Sequence, residues 1–138
     1  MTNHFLWMIE WGACAWMSGI IYLIHWIHYP GFAEIERKRF PEFCRIHGER
    51  ITYIVFPAML IELSISAILA WRLWSISALM SLTSVLALWA ITGIFSAPDH
   101  AKLSDGFSQK TLNHLLYWNR FRVLLWSVRL VLIPLVWI

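Results

Sequence analysis

Residues 25–50 read HWIHYPGFAEIERKRFPEFCRIHGER and join two apolar segments through a histidine-bearing helix end, a Pro30–Gly31 break and a basic stretch. Upstream, residues 5–29 form an apolar run about as long as a hydrocarbon core roughly 30 Å thick requires. The run is too long and too aromatic for a secretory signal, and it lacks a basic leader and a small-residue cleavage site, so it is expected to stay in the mature protein. Downstream, Pro41 suits the first position of a helix. Carried to about Arg72, that helix would be roughly 48 Å long, more than the membrane needs, with Cys44 and His47 on its protruding end. Pro57 inside it is expected to kink the helix and free the carbonyl of Tyr53.

The composition leaves little room for a water-soluble protein. With 138 residues, 59% apolar and 14% charged, and a mean hydropathy of +0.61, one small core cannot hide so much apolar surface. The net charge is +3, and the basic residues lie beside apolar segments without base-reading motifs, which argues against a nucleic-acid partner. Cys14 and Cys44 fall at different depths, so no disulfide is expected between them. Cys14 reads as a packing residue and Cys44 as an exposed thiol.

Residues 75–96 form a third apolar run with Ser77, Ser81 and Ser84 on one face, a pattern that suits close helix packing. The segment APDHAKLSDGFS (97–108), which carries His100, reads as a polar loop. Ser108 is then an N-cap for a last helix of roughly 29 residues. The inner face of that helix reads Asn119, Arg122, Trp126, Arg129, Ile133. The expected fold is therefore all-α: one membrane domain, residues 1–138, forming a four-helix transmembrane bundle. Its spans fall at about 5–29, 51–73, 75–96 and 118–138, and helices 2 and 4 carry long cytoplasmic extensions.

Orientation follows from the basic residues. Arg37, Lys38, Arg39, Arg45, Arg50, Lys102, Lys110, Arg120 and Arg122 share one side, against Arg72 on the other, which makes the rich side cytoplasmic and both termini external. Trp7, Trp11, Trp71, Trp74 and Trp137 would form an outer aromatic belt, with Trp26 and Trp118 on the inner one. Glu10 reads as an outer-interface residue.

The same topology gathers His25, His28, His47, His100 and His114 at the cytoplasmic end. Imidazole ligates iron, copper and zinc, so His28, His47 and His100 are candidate metal ligands, with His25 or His114 as further cofactor ligands. Interfacial histidines that merely bond headgroups are the alternative. Glu62 and Arg129 are expected at matched depth, facing each other or a cavity, because intramembrane charges are expensive. Trp16, Trp89 and Trp126 could line a pocket for a flat lipophile, or simply pack.

Four segments carry a resemblance: HYPGF (28–32), FPEFCRIHGERITYIVFPAMLIE (40–62), APDHAKLSDGF (97–107) and WNRFRVLLWSVR (118–129). Together they resemble a family of small, uncharacterised four-helix bacterial membrane proteins. The chain is also similar, more distantly, to anthrone-oxygenase-like proteins, which share the four-span plan and an Asn followed by Arg near the last helix, here Asn119 and Arg122. That similarity implies oxygen chemistry on a polycyclic lipophile, for which a histidine cluster is an addition. The segment from Arg50 to Met59 resembles small haem-associated membrane protoporphyrinogen oxidases, but HAKL (100–103), expected in a loop here, departs from their pattern.

The resulting expectation is a bacterial inner-membrane, multi-pass oxidoreductase acting on a lipophilic small molecule. A transition metal, iron or copper, or a haem would sit at the histidines. Glu62, Asn119, Arg122 and Arg129 would be its catalytic or substrate-holding residues. The competing expectation is a non-catalytic subunit or assembly factor of a larger membrane complex, or a homo-oligomer.

Overall fold

The computed structural model describes residues 2–135, so Trp137 of the expected aromatic belt lies outside the described residues. The chain folds into four long helices: α1 (Asn3–Glu34), α2 (Phe40–Leu73), α3 (Ile76–Asp105) and α4 (Gln109–Leu135). No strand occurs among the described residues. The helices α1, α2 and α3 are long and apolar enough to cross a membrane. Only 22% of the most apolar stretch of α3 is buried inside the bundle, so most of that apolar surface faces outward.

Pro30, expected with Gly31 to end the first helix, does not break it. The chain passes from regular α1 into a π-helical turn at Ile24–His28, then into a short helical piece, Tyr29–Gly31, that carries Pro30 in its first turn. The same device recurs in α3, where a π-helical turn at Thr92–Ser96 precedes Ala97–Asp105 and places Pro98 in its first turn. The wider π-helical turn before each proline makes room for its ring and missing N–H, which a regular helix interior would not accommodate. The segment 97–108 is therefore not a loop. Its polar residues mark a helix whose buried face is Asp99 and Leu103, and only Gly106–Ser108 turn the chain.

The connections are short. Trp74 adopts the left-handed conformation at the end of α2 (φ 43°), and the Ser75 hydroxyl caps α3 by accepting from the Ala78 N–H at 3.3 Å. Ser108 caps α4 in the same way, accepting from Thr111 N–H at 3.3 Å. Loss of that cap by Ser108→Ala should lower stability by about 1 kcal/mol, read as a drop in denaturation midpoint of the purified protein in detergent.

α1 packs against α2 and α4, and α3 packs against α2 and α4. The interior holds two apolar cores. One, at the Glu10 end, includes Leu6, Trp7, Met17, Leu69 and Trp126. The other, at the histidine end, includes Phe32, Phe40, Cys44, Leu103 and Leu115. Two residues read as surface positions thus belong to the cores. Trp7 is buried, and not in a belt, because it lies on the face of α1 that meets the bundle. Cys44 is 1% exposed, because α3 continues past residue 97 and covers the end of α2. Trp71 and Trp74 do face outward, as does Trp26 at the other end.

Candidate functional site

The residues Asn119, Arg122, Trp126 and Arg129 are all buried and form one stripe along α4. Helical spacing dictates the stripe, and the partners that meet it come from the other three helices. Near its lower end, Asn119 donates to His25 Nδ1 (3.2 Å) and accepts from Arg122 Nη1 (3.2 Å). The Arg122 guanidinium lies 5.3 Å from the centroid of the Trp126 ring, a cation–π arrangement. Trp126 Nε1 in turn donates to both oxygens of Glu62, at 3.3 and 3.0 Å.

Arg129 is the centre of a buried charge cluster. Its Nη2 reaches Glu62 Oε1 at 3.3 Å and Glu10 Oε1 at 3.0 Å. Its Nη1 donates to the Ser81 carbonyl (2.9 Å), Ser81 Oγ (3.1 Å) and Ser84 Oγ (2.6 Å). Glu10 is therefore not an interface residue. It is 0% exposed, and its Oε1 also accepts from the Ser66 and Ser81 hydroxyls. The reason is rotational: Glu10 shares the inward face of α1 with Trp7, Cys14 and Ser18, the face that meets Arg129. The serine stripe of α3, which as sequence suited packing alone, supplies most of the acceptors for the guanidinium.

At the other end of the bundle the histidines divide into groups. His28 Nε2 and His47 Nδ1 are 2.8 Å apart, one donating and the other accepting, so at least one of the two rings is neutral. The His47 and His100 ring centroids are 5.6 Å apart. His100 Nε2 is hydrogen-bonded to the Tyr29 hydroxyl at 2.9 Å. His47 Nε2 and His100 Nδ1 are buried without a hydrogen-bond partner. Both nitrogens are thus left unengaged, whereas His28 Nε2 is bonded to His47. Among the described residues no group of three His, Cys, Asp or Glu side chains is arranged to hold a metal ion.

His25 and His114 stand apart from this group. His25 is taken by Asn119. His114 Nδ1 is 2.6 Å from the buried Asp99 carboxylate, and its Nε2 accepts from Trp118 Nε1 at 3.1 Å. The Trp118 ring stacks on Phe95 at 3.6 Å, so this set reads as a clamp between α3 and α4.

A cavity of about 420 Å³ opens sideways between α2 and α3. Its walls are apolar and include Val55, Phe56, Met59 and Trp89. Its polar lining comes from Tyr29, Ser96, His100 and Arg122. Phe56, half exposed, sits at the mouth and packs edge-on against Trp89. Both π-helical turns contribute to the lining, through Ile24 on one side and Thr92, Gly93 and Ser96 on the other. Such turns interrupt regular helices mostly at functional sites. Arg122, 4% exposed, has no carboxylate within ion-pair distance among the described residues, and its Nε has no partner. Trp126 is sealed in the core and Trp16 faces outward, so of the three in-span tryptophans Trp89 is the one that lines this cavity.

Tyr29 was not legible as a site residue. Regular helical spacing from Ile21 points His25 and His28 inward; His25 is buried, but after the π-helical turn Tyr29 (2% exposed) and not His28 is the next fully buried residue. The nearby Pro30, following an aromatic and histidine-rich helix end, was the one available signal of a local irregularity. Compared with known proteins, the chain matches no family, and no curated protein or solved structure is significantly similar to it.

Proposed function

We propose that this chain is a four-span membrane oxidoreductase that takes a lipophilic molecule from the bilayer into the lateral cavity and holds its polar head on Arg122, Tyr29 and His100. The observation that carries this reading is the buried Arg122 guanidinium at a lateral cavity, without a carboxylate partner. A guanidinium held in an apolar interior by neutral partners alone is expensive, and intramembrane charges are typically found where a partner or substrate neutralises them. A phenolate, quinone-like carbonyl or carboxylate head would supply that partner, and the apolar walls suit its hydrocarbon part. The hydrogen-bonded Tyr29–His100 pair is placed to give or receive the head group's proton.

His47 and His100 are the candidate ligands for a transition metal, iron or copper, because each carries a buried ring nitrogen without a partner and their ring centroids are 5.6 Å apart. Such an ion would accept or donate electrons one at a time. His28 orients His47 through its hydrogen bond, in the way that outer partners fix the rings of metal-bound histidines.

Purified protein tests both halves. Solvent extraction and mass spectrometry should recover a lipophile with an acidic or carbonyl head from the wild type. Elemental analysis should find iron or copper that falls in His47→Ala and His100→Ala. Protein that holds a lipophile but no metal would end the redox reading and leave the cavity as a binding site. Protein that neither retains nor takes up quinone or fatty-acid analogues would end both.

In this reading the fourth span is α4, both termini are external and the histidine end is cytoplasmic, supported by the excess of basic residues at that end. The native thiols are buried and give a low labelling background. A membrane-impermeant maleimide added to intact cells should therefore label His4→Cys and spare Arg37→Cys. Labelling of Arg37→Cys alone would invert the topology.

A further inference from the structure

We infer that Glu10, Glu62 and Arg129 together bind one exchangeable proton inside the bundle, making this cluster a protonation site distinct from the histidine end. The argument is one of charge and geometry, and it does not rest on the lateral cavity. Two carboxylates converge on a single guanidinium nitrogen, Arg129 Nη2, at 3.0 and 3.3 Å. Both acids and the arginine are at least nine-tenths buried. Arg129 is the one cationic group within ion-pair distance of either acid among the described residues. With both acids ionised the cluster carries a net negative charge inside an apolar bundle, and one added proton makes it neutral.

Each helix contributes something definite to this account. α1 brings Glu10 and the neutral Cys14 thiol, which donates to the Trp126 carbonyl at 3.7 Å and also lies against Arg129. α2 brings Glu62 and Ser66, and α4 brings Arg129. α3 brings the hydroxyls of Ser81 and Ser84 and the Ser81 carbonyl, none of them charged. No further titratable group offsets the second carboxylate. Glu10 Oε2 is fully buried and has no hydrogen-bond partner, although its sister oxygen accepts three donors. A lone carboxylate oxygen in that position is poorly served as an anion, whereas a proton on the acid pair removes the charge it would have to carry. The proton belongs to the coupled pair and not to either residue alone.

The cluster also borders a groove of about 450 Å³, whose polar lining is Ser77, Ser81, Ser84 and Arg129 and whose other walls, including Met80, Val128 and Leu132, are apolar.

Infrared difference spectroscopy of the protein in lipid tests this directly. The wild type at neutral pH should show the stretching band of one protonated carboxyl per chain, shifted by transfer into D2O. Glu10→Gln and Glu62→Gln should each abolish it, because a single remaining carboxylate matches Arg129 one to one. Both variants keep hydrogen-bonding side chains of the same size, and measurement of their helical content shows whether they fold. Absence of the band in the wild type overturns the inference, as does a band that survives both substitutions. A band that does not shift in D2O overturns the exchange, and one that emerges only when sodium is withdrawn replaces the proton by a metal cation.

Discussion

Arg129→Met is expected to lower the stability of the folded bundle by about 3–5 kcal/mol, the cost of breaking a buried ion pair from one side. The substitution leaves Glu10 and Glu62 facing each other with no cation, and it strips Ser81 and Ser84 of the donor that they accept from. Rescue discriminates between a pair and a triad. If Arg129 served Glu62 alone, adding Glu62→Gln to Arg129→Met would recover most of the loss. Because Glu10 is equally close, that double variant should recover only part, and Glu10→Gln, Glu62→Gln and Arg129→Met together should recover most of it. Denaturation midpoints in detergent, compared around the thermodynamic cycle, give the coupling. Single effects that simply add would mean that the three residues are not partners.

Arg122→Met should behave in the opposite way. Arg122 has no carboxylate to strand, and its side-chain bonds to Asn119 and Ser96 are long, at 3.2 and 3.5 Å. Replacing a buried charge by an apolar side chain of similar length removes the cost of burying it, so stability should change by no more than about 1 kcal/mol. Ligand affinity should fall much further. Losing the buried partner of a charged head group costs about 2–5 kcal/mol, a drop of roughly thirtyfold to several thousandfold. Equilibrium binding of a quinone or fatty-acid analogue to the purified variants measures it. A variant that unfolds as Arg129→Met does, or one that binds as the wild type does, removes Arg122 from the proposed site.

The contrast between these two arginines could not be drawn from spacing. Both lie on the same stripe of α4, and the stripe itself was legible because helical periodicity alone places Asn119, Arg122, Trp126 and Arg129 in line. The meeting of Glu62 with Arg129 was also legible, since charges at equal depth in an apolar bundle tend to find each other. So were the cap at Ser108 and the start of α2 beside Pro41. These features depend on local chemistry: which residues start helices, and which face of a single helix is polar.

Other features required the assembled bundle. Glu10 lies early in α1 among aromatic residues, and only the rotation of α1 against α4 turns it inward onto Arg129. Tyr29 displaces His28 from the inward face because a π-helical turn adds rotation that a regular spacing does not contain. His25 and His114 are drawn away from the histidine group by Asn119 and Asp99, partners supplied by α4 and α3. Cys44 is covered because the polar run after residue 97 continues as helix through a second π-helical turn. Thus the sequence by itself determined the four apolar helices and the polar stripe of α4, but not the continuation of α3 past residue 97 or the inward face of α1. Tertiary structure decided which faces meet, because that depends on helix rotation summed over every turn, and one extra residue in a turn is enough to change it.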